Sequence, residues 1–220
     1  QQELQRWVGM QIIEQKENLF VYKNISNPSF EDFDLMFRRT FLLLTNAVDE
    51  FLQGAKDADL VTLESIQDKY NNLIIFIMYC LRLINKTGFS QRYKNTLLYL
   101  IISNLYKIAD IMKYAARDIA RLKKLHPKTL AVLDMNFTTI RMYYDLFYKF
   151  DFQKLSKIYE RRDAVLRELE KIKKTIPLEE VILLVYSRHL LELIVSNLEA
   201  TATYHLEERK IVDNKITGIQ

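Results

Sequence analysis

Only four Gly and three Pro occur in 220 residues, and all seven stand where the pattern places element boundaries or termini. A chain with so few breakers, and with Leu, Ile, Lys and Glu dominant, is expected to be helical nearly throughout. The intervals between breakers carry apolar residues three or four apart, the spacing of one helix face. In residues 103–122 that face is Leu105, Ile108, Met112, Ala115 and Ile119, with Asp110 set among them and Tyr106 and Tyr114 one turn to either side. About 86 residues later, residues 190–208 have the same build. A helix met twice, each time near the end of a block of three, points to a fold doubled in sequence.

The length allows one large domain or two small ones, either of which buries a sizeable core. A net charge of +4 with a pI near 8.9 is too mild to argue for nucleic acid. Cys80 is the single cysteine and sits in an apolar run, which excludes an internal disulfide and fits a reducing, cytoplasmic setting. It reads as a small buried hydrophobe. The longest uninterrupted apolar run, residues 73–81, is about half of a membrane span and is closed by Arg82. The N-terminus has no basic-then-apolar signal segment. No membrane insertion is expected. The chain opens at Gln1 without Met, so further residues are expected upstream.

In order, residues 1–29 form an extended segment, with β-prone runs at 10–14 and 19–22 predicting a short β-hairpin. Ser29 and Asp32 have the form of a capping box. Helix one is predicted over 30–53, stopping at Gly54, with Leu35, Leu42, Leu43, Val48 and Leu52 as its core stripe. Asp57 or Asp59 caps helix two, which runs to 85. Helix three opens at Ser90 and runs to 124. Pro127 starts helix four, which carries Leu130, Leu133, Phe137, Ile140, Tyr144 and Phe147 and ends near 150. Asp151 caps helix five, ending near 174, with Leu155, Ile158, Val165, Leu169 and Ile172 inward. Pro177, Glu179 and Glu180 open helix six, which reaches 209, and 210–220 read as a frayed tail. Helices one to three match helices four to six at offsets of about 97, 93 and 87 residues. The expected architecture is all-α: six helices in two tandem three-helix units, 30–125 and 126–209, behind the hairpin-like segment.

This organisation resembles the PhoU family, whose repeat signature lies on the third helix of each unit as Leu-Glu-Arg-Ile-(Gly/Ala)-Asp-x-x-x-Asn-Ile-Ala. The first copy here is Leu105-Tyr106-Lys107-Ile108-Ala109-Asp110, followed by Tyr114. The second is Leu191-Glu192-Leu193-Ile194-Val195-Ser196, followed by Ala200. Glu160-Arg161-Arg162-Asp163 and Gln67-Asp68-Lys69 are similar to the family's second helix. The segment from Arg6 to Glu14, leading to Asn27-Pro28-Ser29, is similar to the linker of archaeal relatives that carry an AbrB-like DNA-binding domain upstream. The resemblance implies a cytoplasmic regulator of phosphate uptake that contacts a phosphate-transporter ATPase or a sensor protein. DNA would be reached only through the upstream domain, and a homodimer is plausible.

The resemblance also implies carboxylate ligands for multinuclear metal clusters, since carboxylates four apart share a helix face. Both copies depart from that pattern. Tyr106 stands for the Glu in the first, leaving Asp110; Ser196 stands for the Asp in the second, leaving Glu192. One carboxylate per site is too few for a cluster of iron or zinc, so no cofactor is expected. The plain reading of Asp110 is a helix carboxylate near Lys107 or Lys113, and of Glu192 a solvated face with His189 before it. None of His126, His189 and His205 has a carboxylate three residues ahead, as a di-iron bundle requires. Nor is there a glycine-rich phosphate loop or a nucleophile–base set, so catalysis is not expected. Two surface features remain. The basic group Arg117, Arg121, Lys123, Lys124 and Lys128 could meet acidic partners, phosphate or nucleic acid, or serve as dipole-complementing solvated charge. The aromatic set Tyr143, Tyr144, Phe147, Tyr148, Phe150 and Phe152 could form a protein-binding patch or pack into the core. Two other readings stand beside the regulator: a metal-cluster sensor, and a helical scaffold unrelated to phosphate.

Overall fold

The computed structural model describes residues 10–16, 19–24, 33–86, 88–122 and 124–217, with side chains for residue 21 and, within those spans, for 33–208. Met10–Lys16 (β1) and Leu19–Asn24 (β2) pair antiparallel, with a register shift between Ile12 and Glu14. The turn of the expected hairpin and the capping box at Ser29 and Asp32 lie outside the described residues. From residue 33 onward the described chain is helical, and the fold class is all-α. The helices are α1 (Phe33–Asp57), α2 (Leu60–Lys86), α3 (Arg92–Ala120), α4 (Pro127–Phe137), α5 (Thr139–Tyr148), α6 (Phe152–Ile172) and α7 (Val181–Thr217).

The boundaries follow local chemistry, with four departures from expectation. Gly54 does not end α1. It stays helical because α2 closes in on it: a Cβ there would stand 3.0 Å from Thr62 Cγ2 and 3.3 Å from Leu63 Cγ. The stop falls at Ala58, with φ of 53°. The Asp59 N–H donates back to the Gly54 carbonyl at 3.0 Å, which satisfies a helix-end acceptor. Asp59 then caps α2, accepting from the N–H groups of Val61 and Thr62 at 3.0 and 3.2 Å. These bonds, with one from the Thr62 hydroxyl as the largest cause, hold its carboxyl below the usual range.

The second departure is at the start of α3, which begins at Arg92 rather than Ser90 and ends at Ala120. Asn95 clasps the preceding loop, accepting from the Phe89 N–H at 2.7 Å and donating to the Phe89 carbonyl at 2.9 Å. Third, the single helix expected from 127 to 150 is broken. The Thr138 hydroxyl donates to the Asp134 carbonyl at 2.6 Å and the Thr139 hydroxyl to the Met135 carbonyl at 3.0 Å. Two successive side chains competing for backbone acceptors divide α4 from α5. Pro127 and Asp151 behave as expected, at the first position of α4 and as the cap of α6. Fourth, α7 enters through a single 3-10 turn, Leu178–Glu180, and continues to Thr217, past the expected end near 209.

The core stripe of α1 is also turned from the one expected. Leu35 and Leu42 are exposed, Leu43 and Leu52 half-buried, and the buried face is Phe33, Phe37, Phe41, Leu44, Val48 and Phe51. Phenylalanine buries more apolar area than leucine, so four rings on one face outweigh the competing leucines. Two of those rings meet α5: Phe37 packs edge-on against Phe147 at 5.2 Å between centroids, and Phe41 lies within 5.9 Å of Tyr143, Tyr144, Phe147 and Tyr148; Phe51 instead meets Phe137 of α4. Most of the aromatic set of residues 143–152 is therefore core or core margin, and Phe152 is its exposed member.

α1, α2 and α3 pack as neighbours, α4, α5 and α6 pack around α7, and α3 lies against α7. The α3–α7 pair is antiparallel: Lys94 meets Glu208, Asn104 meets Asn197, and Asp118 meets Tyr186. Among the described residues, the stretch long and apolar enough on average to span a membrane lies at the entry to and along α7. An 18-residue window within Leu178–Glu208 has mean hydropathy 1.5, enough by length and composition to cross a membrane. Counting only uninterrupted runs passes over this stretch, because Ser187 and Asn197 punctuate it. Here Leu183, Leu190, Ile194 and Leu198 are buried in the bundle core. Three buried polar groups set the register of α7. Asn104 Nδ2 donates to Asn197 Oδ1 at 2.8 Å and Ser196 Oγ at 3.1 Å; Asn136 Nδ2 donates to the Ser187 carbonyl at 2.7 Å; Tyr143 and Thr201 hydroxyls share a bond of 2.9 Å. Each comes from a different helix, α3, α4 and α5. Replacing Asn104 by Ala strands the Asn197 carbonyl oxygen in the core and is expected to cost about 1–3 kcal/mol. Urea denaturation of N104A against the parent checks this.

Candidate functional site

Asp110 lies on α3 and faces α2. Its Oδ1 accepts from Lys113 Nζ at 2.8 Å, and the two side chains are only 17% and 16% exposed. The same ammonium lies 3.8 Å from the ring centroid of Tyr70 on α2 and 4.4 Å from that of Tyr114. Tyr70 is buried. Burial first, then hydrogen bonding to Tyr106 and Asp110, pushes its phenol well above the ordinary value, so it stays a neutral donor beside the carboxylate. Of the two lysines considered as partners for Asp110, Lys113 is the one in contact, while Lys107 lies over the Tyr106 ring at 5.5 Å.

Glu192 sits on α7 in a more open setting. Arg188, one turn earlier, approaches its carboxylate at 3.5 Å, with both side chains about two-thirds exposed. At that exposure an i,i+4 pair contributes roughly 0.3–0.5 kcal/mol. Two hollows of about 350 Å³ each share Arg188 and Glu192 along the side of α6 and α7. Leu166, Leu191 and Val195 line one, Leu169, Leu184 and Val185 the other, and Ser196 and His189 stand at their edges. Among the described residues, no three His, Cys, Asp or Glu side chains come together to hold a metal ion. Asp110 and Glu192 each face a side-chain cation, and the residues present do not fit a metal cluster at either motif position.

The basic group divides. Arg117 and Arg121 approach Asp118 at 3.5 and 3.6 Å and are mostly exposed. Asp118 is the more strongly held residue, accepting from the Tyr186 hydroxyl of α7 at 2.8 Å. Lys113, Arg117 and Arg121 stand at successive turns of α3 beside a hollow of about 320 Å³, whose other wall is Leu63, Glu64 and Gln67 of α2. Lys124 and Lys128 are exposed and make no ion pair among the described residues. Lys123 lies outside them.

One residue was read only as a helix-start charge. Glu180 is buried, and its Oε1 accepts from the His126 N–H at 2.8 Å, so the entry to α7 holds the linker between α3 and α4. The nearest signal in the chain was the acidic pair after Pro177, which marks a helix start but not a contact 54 residues away.

Cys80 is fully buried, and its thiol is pushed up to about 12 by that burial, partly offset by a hydrogen bond with Thr40. Such a thiol is a poor nucleophile. It is expected to ignore a thiol reagent in the native protein and to react once per chain after denaturation. Its neutral folded form also makes the fold sensitive to alkali. The unfolded thiol ionises near pH 9 while the folded one resists to about 12, so its contribution is present below pH 9 and lost as pH rises through that window. Buried Tyr143, also raised by desolvation, acts in the same direction. Melting temperature is expected to fall above about pH 9, by less in C80A.

Comparison with known proteins adds one finding about the fold. No family model matches the chain, and no curated protein matches it by sequence. Among solved structures, this helical bundle is similar to the crystal structure of the phosphate transport system regulatory protein PhoU from Streptococcus pneumoniae. The TM-score is 0.59 over 78% of this chain and 92% of that one, at 14% sequence identity. The chain thus has a PhoU-like fold.

Proposed function

We propose that this chain is a non-enzymatic regulator of phosphate uptake that acts by protein–protein contact. The observation that carries the reading is the likeness of fold to a protein described as regulating a phosphate transport system. The two helical signatures around Asp110 and Glu192, read independently from the sequence, support it. On this reading residues 30–125 and 126–209 are tandem three-helix units, and residues 1–29 link them to an upstream DNA-binding domain. The setting is the cytoplasm, the partner is a phosphate-transporter ATPase or a sensor protein, and the chain acts as a homodimer.

The contact surface assigned to the partner is the basic edge of Arg117, Arg121, Lys124 and Lys128. The arginine charges are only loosely met by Asp118, and both lysines project into solvent. Exposed cations of this kind steer an acidic partner and set its register more than they add raw affinity. Binding that differs between two states of the partner is enough for regulation, with no covalent step.

Deleting the encoding gene and measuring uptake of labelled phosphate in phosphate-rich medium tests the proposal. Uptake is expected to lose its restraint. A variant with Arg117, Arg121, Lys124 and Lys128 all changed to Glu is expected to reproduce the deletion while keeping the parent's helical circular dichroism. Unchanged uptake in the deletion strain would refute the regulatory role.

A further inference from the structure

The surroundings of Asp110 are built around a cation that the chain itself supplies. Lys113 follows Asp110 by one turn, and its ammonium is 2.8 Å from the carboxylate. The rings of Tyr70 and Tyr114 lie against the same ammonium at 3.8 and 4.4 Å. One carboxylate and two aromatic ring contacts are what stabilise a partly desolvated cation. The carboxylate is on α3 and the closer ring on α2, so the ammonium is also a joint between the two helices.

A divalent ion at this place would have to expel the ammonium and forfeit both ring contacts. It would then find one carboxylate and neutral phenol oxygens, where hard and borderline cations need several anionic ones. The second motif position follows the same rule more weakly, with Arg188 against Glu192 but both open to solvent.

We propose that Lys113 is a built-in counter-ion: its ammonium fills the place beside Asp110 where the resemblance implies a metal cluster, and it joins α2 to α3 through Tyr70 without metal. The claim stands apart from the regulatory reading, since it concerns charge and stability alone. It makes the α2–α3 joint insensitive to metal supply and closes that position to divalent ions.

Two measurements on the whole chain test it. The first is elemental analysis after dialysis against manganese, zinc and iron(II), with melting curves recorded with and without a chelator. No stoichiometric metal and an unchanged melting temperature are expected. One or more ions retained per chain, or a fall in melting temperature on chelation, would overturn the proposal. The second is K113M, which keeps much of the side chain's length and removes its charge. It is expected to melt about 2–4 °C below the parent, a size typical of losing one modest interaction in a chain of this length. Melting at the parent's temperature would overturn the counter-ion role. Should K113M fail to fold, the first measurement decides alone, because it needs no variant.

Discussion

The antiparallel contact between α3 and α7 is the constraint on which the rest of the bundle depends. Each helix is mostly apolar on the shared face, and apolar packing alone tolerates sliding by a turn. The buried amide pair Asn104–Asn197 opposes that sliding, because a shift by a turn parts Asn104 Nδ2 from Asn197 Oδ1 inside the core. Asn136 and Tyr143 apply the same argument to α7 from two further helices. Once α7 is fixed, Glu180 at its start fixes the linker after α3, and Glu208 reaches back to Lys94. Polar groups set the register here, and apolar area supplies the driving force.

That driving force is concentrated in rings. Phe33, Phe37 and Phe41 stand four apart on α1; Phe33 packs on Phe37 and Phe89, while Phe37 and Phe41 meet Tyr143, Phe147 and Tyr148 of α5. The break at Thr138 and Thr139 separates α5 from α4, and both short helices pack against α1, α6 and α7. The aromatic contact spans the two halves of the chain and with the α3–α7 pair forms the main core, beside which Val132, Val165, Leu169, Ile172, Leu184 and Leu191 make a smaller cluster between α4, α6 and α7.

Much of this was legible in the sequence where the chemistry is short-range. Asp59, Pro127 and Asp151 act within three residues of themselves, and each takes the role its type predicts. The Asp110–Lys113 pair is equally local. Gly54 misleads because glycine has two uses: it ends helices, and it lets helices approach closely. The sequence does not say which applies until Thr62 and Leu63 are known to lie against it. On α1, leucine and phenylalanine stripes overlap, and only the partner α5 decides between them. The Asn104–Asn197, Glu180–His126 and Lys113–Tyr70 contacts join residues 93, 54 and 43 apart, beyond any periodic signal. The functional positions shared this fate. The motif carboxylates were visible, but not the tyrosine from a second helix that completes the surroundings of the first.

The picture is of a PhoU-like bundle whose motif carboxylates face side-chain cations and whose outward charge lies near the α3–α4 linker. Its central claim is that the α3–α7 pair is the most strongly held part of the molecule. Native-state amide hydrogen exchange tests this most directly, because exchange reports local opening segment by segment. The slowest amides are expected in the middle turns of α3 and α7, around Asn104 and Asn197, exchanging only with global unfolding. Slowest exchange in α6, or fast exchange around Asn197, would contradict the account.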